Sequence, residues 1–191
     1  MRHSLIVPLC ATAILALTAC DRSGDAQVQR ALQDLNVVDE SNLNDVMLTV
    51  GDPDEAVKSF SGAVANDPGR IDLMRGLAQS LIRASRPVEG ITAWQNVIAL
   101  PQSNDEDSVE LADAMIRANR WDEAGETLAA IPPTHETFKR YRLEAMIADS
   151  KEQWEKSDAF YEIAVGLTTT PAAVYNNWGY SKLTRGDYSE A

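Results

Sequence analysis

Cysteine, histidine and basic residues are scarce in this sequence of 191 residues. It contains two cysteines, Cys10 and Cys20, and two histidines, His3 and His135. Because a zinc site built from these residue types needs at least three ligands close together, the sequence excludes such a site. Lysine and arginine number 17 against 29 acidic residues, which gives a net charge of −12. This balance argues against nucleic acid as the main ligand and against electrostatic docking to an anionic membrane surface, since both need a basic face.

Sequence motifs for catalysis are missing as well. The glycines form neither a GxGxxG motif nor a phosphate-binding loop. His135 begins the stretch HETF, which lacks the second histidine of a zinc-protease helix. The acidic run Asp105-Glu106-Asp107 has neither the glycine nor the ligand spacing of a calcium loop, and it favours the start of a helix instead. With no nucleophile near a base, we predict a protein that is not an enzyme and uses no metal or cofactor.

The one long apolar run covers residues 5–18. It is too short to cross about 30 Å of hydrocarbon comfortably as a helix, and it fits the apolar region of a secretory signal. The run ends in Leu17-Thr18-Ala19-Cys20, which resembles a bacterial lipobox. The resemblance implies a signal peptide over residues 1–19, lipidation of Cys20, and an acidic tether that completes the segment 20–36. The alternative is an ordinary cleaved signal in which Cys20 has no role.

A lipid anchor on Cys20 implies a place in the cell envelope, facing the periplasm. A diacylglycerol together with an N-acyl chain anchors a protein stably, whereas a single chain is marginal. Asp21 follows the lipid site. In enteric bacteria this residue tends to keep a lipoprotein in the inner membrane, but the rule does not carry to all bacteria, so the choice of membrane stays open at this point.

A period of about 34 residues runs through the rest of the sequence. Small residues mark it, with spacings of 34, 34, 33 and 34, at Ala56, Gly90, Ala124, Ser157 and Ala191. Twelve residues before each stands another short residue, in order Asn44, Ala78, Ala112, Ala145 and Gly179. Four residues after the first four stands a large one, in order Phe60, Trp94, Leu128 and Tyr161. This pattern resembles the tetratricopeptide repeat, a helix-turn-helix unit of 34 residues.

The resemblance implies an all-α fold, a solenoid of antiparallel helix pairs over residues 37–191. We expect about four and a half repeats, bounded as 37–70, 71–104, 105–137, 138–171 and an incomplete 172–191. Stacking of the repeats buries the apolar faces that no single repeat can bury alone. Because Ala191 falls just inside a second helix with no polar cap after it, we expect the chain to be a fragment of a longer protein. The alternative is a short natural protein whose open end pairs with a partner.

Local signals predict details of the packing. The two helices of a repeat cross at small residues, as at Ala78 with Gly90 and Ala112 with Ala124. Helix starts are predicted where a capping residue precedes proline, at Asp52-Pro53 and at Thr170-Pro171. Two interpretations fit Trp94, Tyr161 and Trp178, namely an aromatic cage for a ligand or the core of the solenoid. Their helical spacing favours the core.

Proteins with such repeats bind peptide segments in a groove lined by the first helix of each repeat. The resemblance places in this groove Arg75, Gln79, Arg83, Asp113, Arg117, Arg142, Met146, Asn176, Tyr180 and Leu183. The four arginines form a basic stripe, which suits bidentate recognition of carboxylates, and Tyr180 and Leu183 form an apolar end. The alternative is a solvated surface with weak pairs such as Asp113 with Arg117.

Two segments, 131–149 and 166–186, look like those in the lipoprotein of the tight-adherence (Flp-type) pilus assembly system of alphaproteobacteria. That resemblance implies a pilotin-like or scaffold role, in which protein partners from the pilus machinery or its outer-membrane secretin are bound. It favours the outer membrane and implies no catalytic residues. Two other classes stay open. One is a scaffold for outer-membrane protein insertion or peptidoglycan synthesis, and the other is an enzyme accessory subunit or small-ligand binder.

Overall fold

The computed structural model describes residues 44–189. The chain divides into two compact units, Met1–Val46 and Met47–Ala191. Of the first unit only residues 44–46 are described, and they are helical. The predicted signal peptide, the lipidation of Cys20, the tether, the beginning of the first repeat and the last two residues of the fifth therefore lie outside the described residues, as does Ala191.

Every regular element within residues 44–189 is a helix. The first, α1, covers residues 44–49 of this part. The others are α2 (Pro53–Asn66), α3 (Ile71–Arg83), α4 (Pro87–Ile98), α5 (Asp105–Arg117), α6 (Trp121–Ala129), α7 (Phe138–Ser150), α8 (Trp154–Gly166) and α9 (Ala172–Thr184). From α2 onward each helix packs against the next one in the chain, and α7 also packs against both α5 and α9. This stack of paired helices confirms the predicted all-α solenoid.

Small residues lie where the helices approach closely, as the sequence predicts. Ala78, Ala112 and Ala124 have no exposed surface. A Cβ atom added to Gly90 would lie 3.8 Å from the backbone oxygen of Ala78 and 2.5 Å from Cδ1 of Ile82. A larger residue at these points would push the two helices of a repeat apart, because interiors are close-packed.

The turns after the first helices share one geometry. Each contains a residue with positive φ, in order Ser85, Asn119, Glu152 and Gly186, with φ angles of 58°, 62°, 55° and 83°. The next residue donates its N–H to a carbonyl five residues back at 2.8–2.9 Å, in order Arg86 to Leu81, Arg120 to Met115, Gln153 to Ala148 and Asp187 to Lys182. These are helix ends of the Schellman type, in which a left-handed residue satisfies the last free carbonyls.

The helix starts agree only in part with the predicted signals. Asp52 caps α2 as predicted, because its Oδ1 accepts the backbone N–H groups of Asp54 and Glu55 at 3.0 Å. The predicted cap at Thr170 is wrong. The helix α9 begins after Pro171 and has no side-chain cap. The Thr170 N–H is instead donated to Oγ1 of Thr168 at 3.1 Å, a local turn that competes with capping.

The aromatic residues that follow the crossing points form the core. Trp94 and Tyr161 are each 1% exposed, which confirms the core interpretation for both. Trp178 is half-buried and stacks on Tyr161, with ring centroids 5.9 Å apart and an interplanar angle of 19°. Its indole N–H donates to Oδ1 of Asp158 at 2.6 Å, so the polar atom of the ring is satisfied while the ring packs.

Candidate functional site

The predicted groove residues lie on four helices, which we call together the first-helix face: α3, α5, α7 and α9. The α3 helix carries Arg75, Gln79 and Arg83, and α5 carries Asp113 and Arg117. The α7 helix carries Arg142 and Met146, and α9 carries Asn176, Tyr180 and Leu183. Within this set the side chains differ sharply in what they contact, and the basic residues differ most.

Arg75 holds two of these helices together. Its Nε and Nη2 donate to Oδ1 and Oδ2 of Asp107 on α5, both at 2.7 Å. The hydrogen bonds to Asp107 raise the pKa of Arg75, against the opposing effect of burial. Asp107 also accepts the N–H of Asn104 and so completes a capping box at the start of α5. Such a bidentate pair fixes both partners in place, and this arginine is therefore committed to the α3–α5 junction.

Arg83 and Arg117 also have partners in the protein. Arg83 donates to the backbone oxygens of Met47 and Gly51 at 2.8 and 2.9 Å. Arg117, whose side chain is 52% exposed, donates to Oδ2 of Asp113 at 3.2 Å along α5. An exposed pair of this kind is worth little, so the Arg117 guanidinium remains open to an external carboxylate, whereas Arg83 is not.

Arg142 differs from the other three arginines. Its Nε atom is buried and has no hydrogen-bond partner within residues 44–189, and no carboxylate of this part lies within ion-pair distance of its guanidinium. Its positive charge nevertheless acts on Tyr161, since it opposes the rise in the pKa of that phenol. The structure therefore keeps one charged, unpaired arginine on α7, in the middle of the predicted groove.

A pocket of about 240 Å³ opens on the first-helix face between α7 and α9, and we call it the α7–α9 pocket. Four aromatic residues line it, namely Trp121, Trp154, Tyr161 and Tyr180. Its polar lining includes Asp149, Asn177 and Ser181, and its apolar lining includes Met146. Met146 and Tyr180 are two of the predicted groove residues, so the structure brings these two together.

Asp149 is the centre of the polar lining. Its Oδ1 accepts the hydroxyl of Ser181 at 2.7 Å, and its Oδ2 accepts the hydroxyl of Tyr161 at 3.0 Å. Burial raises the pKa of Tyr161 well above its usual range, and the charge of Asp149 adds to this effect. Asn177 lies beside them, with Nδ2 3.0 Å from Sδ of Met146. These contacts tie α7, α8 and α9 together and hold the Asp149 carboxylate at a fixed position in the pocket.

Asn176 and Leu183 are placed on α9 but do not line this pocket. Leu183 is 50% exposed and Tyr180 is 70% exposed, so both are available to a partner. Gln79 is half-buried on α3. The ten predicted residues therefore form several separate groups along the first-helix face, and their role in binding stays a prediction.

The two tryptophans of the pocket were missed by reasoning from groove positions alone. Trp121 and Trp154 are the first residues of α6 and α8, the second helices of their repeats. Their spacing of 33 residues was a visible signal, since it matches the repeat. That spacing does not reveal that both rings reach the pocket between the first helices.

A larger cleft of about 690 Å³ is lined by α6, α7 and α8. Much of its charged lining is already paired. Lys151 Nζ lies 2.8 Å from Asp122 Oδ1, and Glu144 Oε1 accepts from Arg140 Nε at 3.0 Å. Because the charges of the α7–α9 pocket and of Arg142 lack ion-pair partners in the described region, that pocket is the better candidate site.

Two searches of residues 44–189 gave negative results. They contain no group of three or more histidine, cysteine, aspartate or glutamate side chains that could hold a metal ion. None of the helices described there has the length and apolar character needed to cross a membrane.

Comparison with known proteins identifies the fold. No protein-family model matches the sequence, and no similar sequence was found among curated proteins. One chain of the APC/C hetero-tetramer Cut9–Hcn1 has a similar structure, with a TM-score of 0.69 and 18% identity. That match covers 78% of this chain but only 30% of the other, so this chain spans about a third of its length.

Bacterial proteins give matches that cover most of both chains. MamA from Desulfovibrio magneticus RS-1 matches with a TM-score of 0.62 and 17% identity, over 78% of this chain and 85% of MamA. YrrB, described as a TPR protein with an unusual peptide-binding site, matches with a TM-score of 0.54 and 10% identity, over 78% of this chain and 77% of YrrB. At these identities the likeness concerns the fold. The chain therefore has the tetratricopeptide-repeat fold, an all-α solenoid of paired helices.

Proposed function

We propose that this protein is a non-catalytic scaffold that binds other proteins through its first-helix face. The observation that carries the proposal is the α7–α9 pocket, which is open, lined with aromatic residues and placed beside the unpaired Arg142. Aromatic residues and arginine are the types that contribute most binding energy in protein interfaces. The fold supports the same function, because stacked repeats form extended binding surfaces, and YrrB is described as having a peptide-binding site.

The finer part of the proposal concerns place and partner. The lipobox-like Leu17-Thr18-Ala19-Cys20 supports a lipid anchor on Cys20, with the repeats facing the periplasm. The resemblance of residues 131–149 and 166–186 to the tight-adherence lipoprotein supports a role in assembling a Flp-type pilus or its secretin. It favours the outer membrane, while Asp21 keeps the inner membrane as the alternative.

Affinity capture from envelope extract tests the scaffold role. The bait is the chain from residue 20 with Cys20→Ser, beside the same bait carrying Arg117→Glu. Arg117 is exposed and has only a weak internal pair, so its reversal should leave the fold intact. A bait with Lys58→Glu on α2 controls for the change of charge, because Lys58 is exposed and lies off the first-helix face.

We expect secretin or pilus components on the first and third baits and a loss of at least tenfold on the second. Barrel-insertion or wall-synthesis proteins instead would keep the scaffold and replace the pilus. Equal capture by all three baits would refute binding through the groove at Arg117. Loss of palmitate incorporation in the Cys20→Ser chain, with fractionation of the two membranes, tests the anchor and its location.

A further inference from the structure

The α7–α9 junction is polar where the preceding junction is apolar. In the repeat before, the positions that correspond to Asp149, Asn177 and Ser181 are occupied by Ile116, Leu143 and Ile147. These three aliphatic residues are at most 8% exposed and seal the α5–α7 junction. Burying polar groups instead of aliphatic ones weakens packing unless each finds a partner. The polar set therefore marks a junction whose chemistry differs from that of its neighbour.

The Asp149 carboxylate has unused acceptor capacity in this pocket. A carboxylate offers about four lone-pair positions, and two of them are used by Ser181 and Tyr161. No lysine or arginine of residues 44–189 forms an ion pair with it. The nearest competitor is Arg185, whose Nη2 lies 2.9 Å from Oδ2 of Asp158 and 3.7 Å from Oδ2 of Asp187, so its charge is already balanced.

The aromatic lining suits a cation that carries an apolar stem. The faces of tryptophan and tyrosine attract ammonium and guanidinium groups, and the pocket has Trp121, Trp154 and Tyr180. Its volume of about 240 Å³ is below the range of about 300–1,000 Å³ that is usual for sites of whole small molecules. The size therefore fits one side chain of a partner. The net charge of −12 further favours a basic partner.

We propose that the α7–α9 pocket binds a lysine or arginine side chain of a partner protein, with the cation at Asp149 and the stem against Trp121, Trp154 and Tyr180. Arg142 does not oppose this strongly. It lies seven residues before Asp149 on α7, about 10 Å along the helix axis, which exceeds the screening length of about 8 Å at physiological ionic strength. The proposal rests on the scaffold function and names the chemistry of the partner at one point of it.

Titration with short peptides, followed by NMR, tests this pocket without a known partner. The protein is the chain from residue 20 with Cys20→Ser, and the signals are the indole N–H groups of its four tryptophans. The probes are acetylated and amidated pentapeptides with lysine, arginine, norleucine or glutamate between two alanines on each side. We expect saturable shifts of Trp121 and Trp154 with lysine and arginine, and at least tenfold weaker binding of norleucine and glutamate.

Two variants with a matched control sharpen the test. Tyr180→Ala should weaken lysine-peptide binding about two- to fivefold, the worth of one exposed cation–π contact, while Tyr175→Ala should not. Both tyrosines are exposed on α9, but only Tyr180 lines the pocket. Asp149→Asn should weaken binding at least tenfold. If that variant fails to fold, Tyr180→Ala and the norleucine peptide still decide the question.

Three results would overturn the proposal. Equal binding of the norleucine peptide would make the pocket a site for apolar side chains. Binding of the glutamate peptide that is lost in Arg142→Gln would make the site a carboxylate receptor. No shift with any peptide would remove the pocket as a binding site. In each case, unchanged envelope capture by a Tyr180→Ala bait would leave the scaffold function standing, whereas basic-peptide binding without any specific envelope partner would remove that function and keep the pocket.

Discussion

Replacing Gly76 with alanine should destabilise the protein, although alanine is the better helix former. Gly76 lies within α3 and is buried against the ring of Phe60 on α2. A Cβ atom at this position would lie 2.7 Å from both Cδ1 and Cζ of Phe60, and closer still to Cε1. Since Phe60 is 2% exposed and its ring is rigid, the ring has little room to move aside.

The expected magnitude follows from two opposing effects. Alanine in place of glycine stabilises a helix interior by about 0.5–1 kcal/mol. Forcing an extra carbon into a packed core costs about 1–3 kcal/mol. We therefore expect Gly76→Ala to lower the free energy of unfolding by about 1–2 kcal/mol. At about 2–4 °C per kcal/mol for a chain of this size, the Tm should fall by about 2–8 °C.

Gly62 provides the matched control. It lies within α2 and is exposed, and a Cβ atom added there meets nothing within 4 Å. Gly62→Ala should therefore raise the free energy of unfolding by about 0.5–1 kcal/mol. Urea unfolding followed by circular dichroism measures both variants, with an unchanged m-value as the check that only stability changed. A Gly76→Ala protein as stable as Gly62→Ala would refute the reasoning.

The clash itself can be tested by a double-mutant cycle. Phe60→Leu removes the ring that Gly76→Ala would meet, so it should be less damaging in that background than in the wild-type protein. Residues in direct contact couple by about 0.5–3 kcal/mol. A coupling near zero would show that the loss of stability at Gly76 has another cause.

Three further predictions concern the junctions and turns. Asp107→Ala should lower the free energy of unfolding by about 2–4 kcal/mol in urea melts, because it leaves Arg75 half-buried without its bidentate partner; an effect below 0.5 kcal/mol would contradict this. Glu152→Gly should raise the Tm, since glycine adopts the φ of 55° without strain, by an amount that corresponds to about 0.5–1 kcal/mol. Tyr161 should ionise last of the tyrosines in an absorbance titration, because its pKa is raised by burial and by Asp149. The stability linked to this raised pKa is complete below pH 10.0 and is lost as the pH rises further, so Tyr161→Phe should flatten alkaline unfolding.

The candidate site could be predicted only in outline. Position within the repeat placed Tyr180 and Met146 on the first-helix face, and both line the pocket. The same reasoning placed Arg75 in a free basic stripe, but the guanidinium is bound to Asp107, 32 residues away. Whether a groove residue is free or paired depends on which side chain of the next repeat faces it. That choice is invisible in a pattern that reports each helix separately.

The sequence by itself determined the stack of helix pairs and its crossing points. Those signals are local, because the spacing of Ala78 and Gly90 reflects one helix pair and its own turn. Only the tertiary structure decided the contacts between repeats. It brought Trp121 and Trp154 together with Asp149 in one pocket, and it set Phe60 against Gly76. Such contacts depend on the rotation and translation from each repeat to the next, which result from the packing of all side chains at the junction and leave no periodic signal in the sequence.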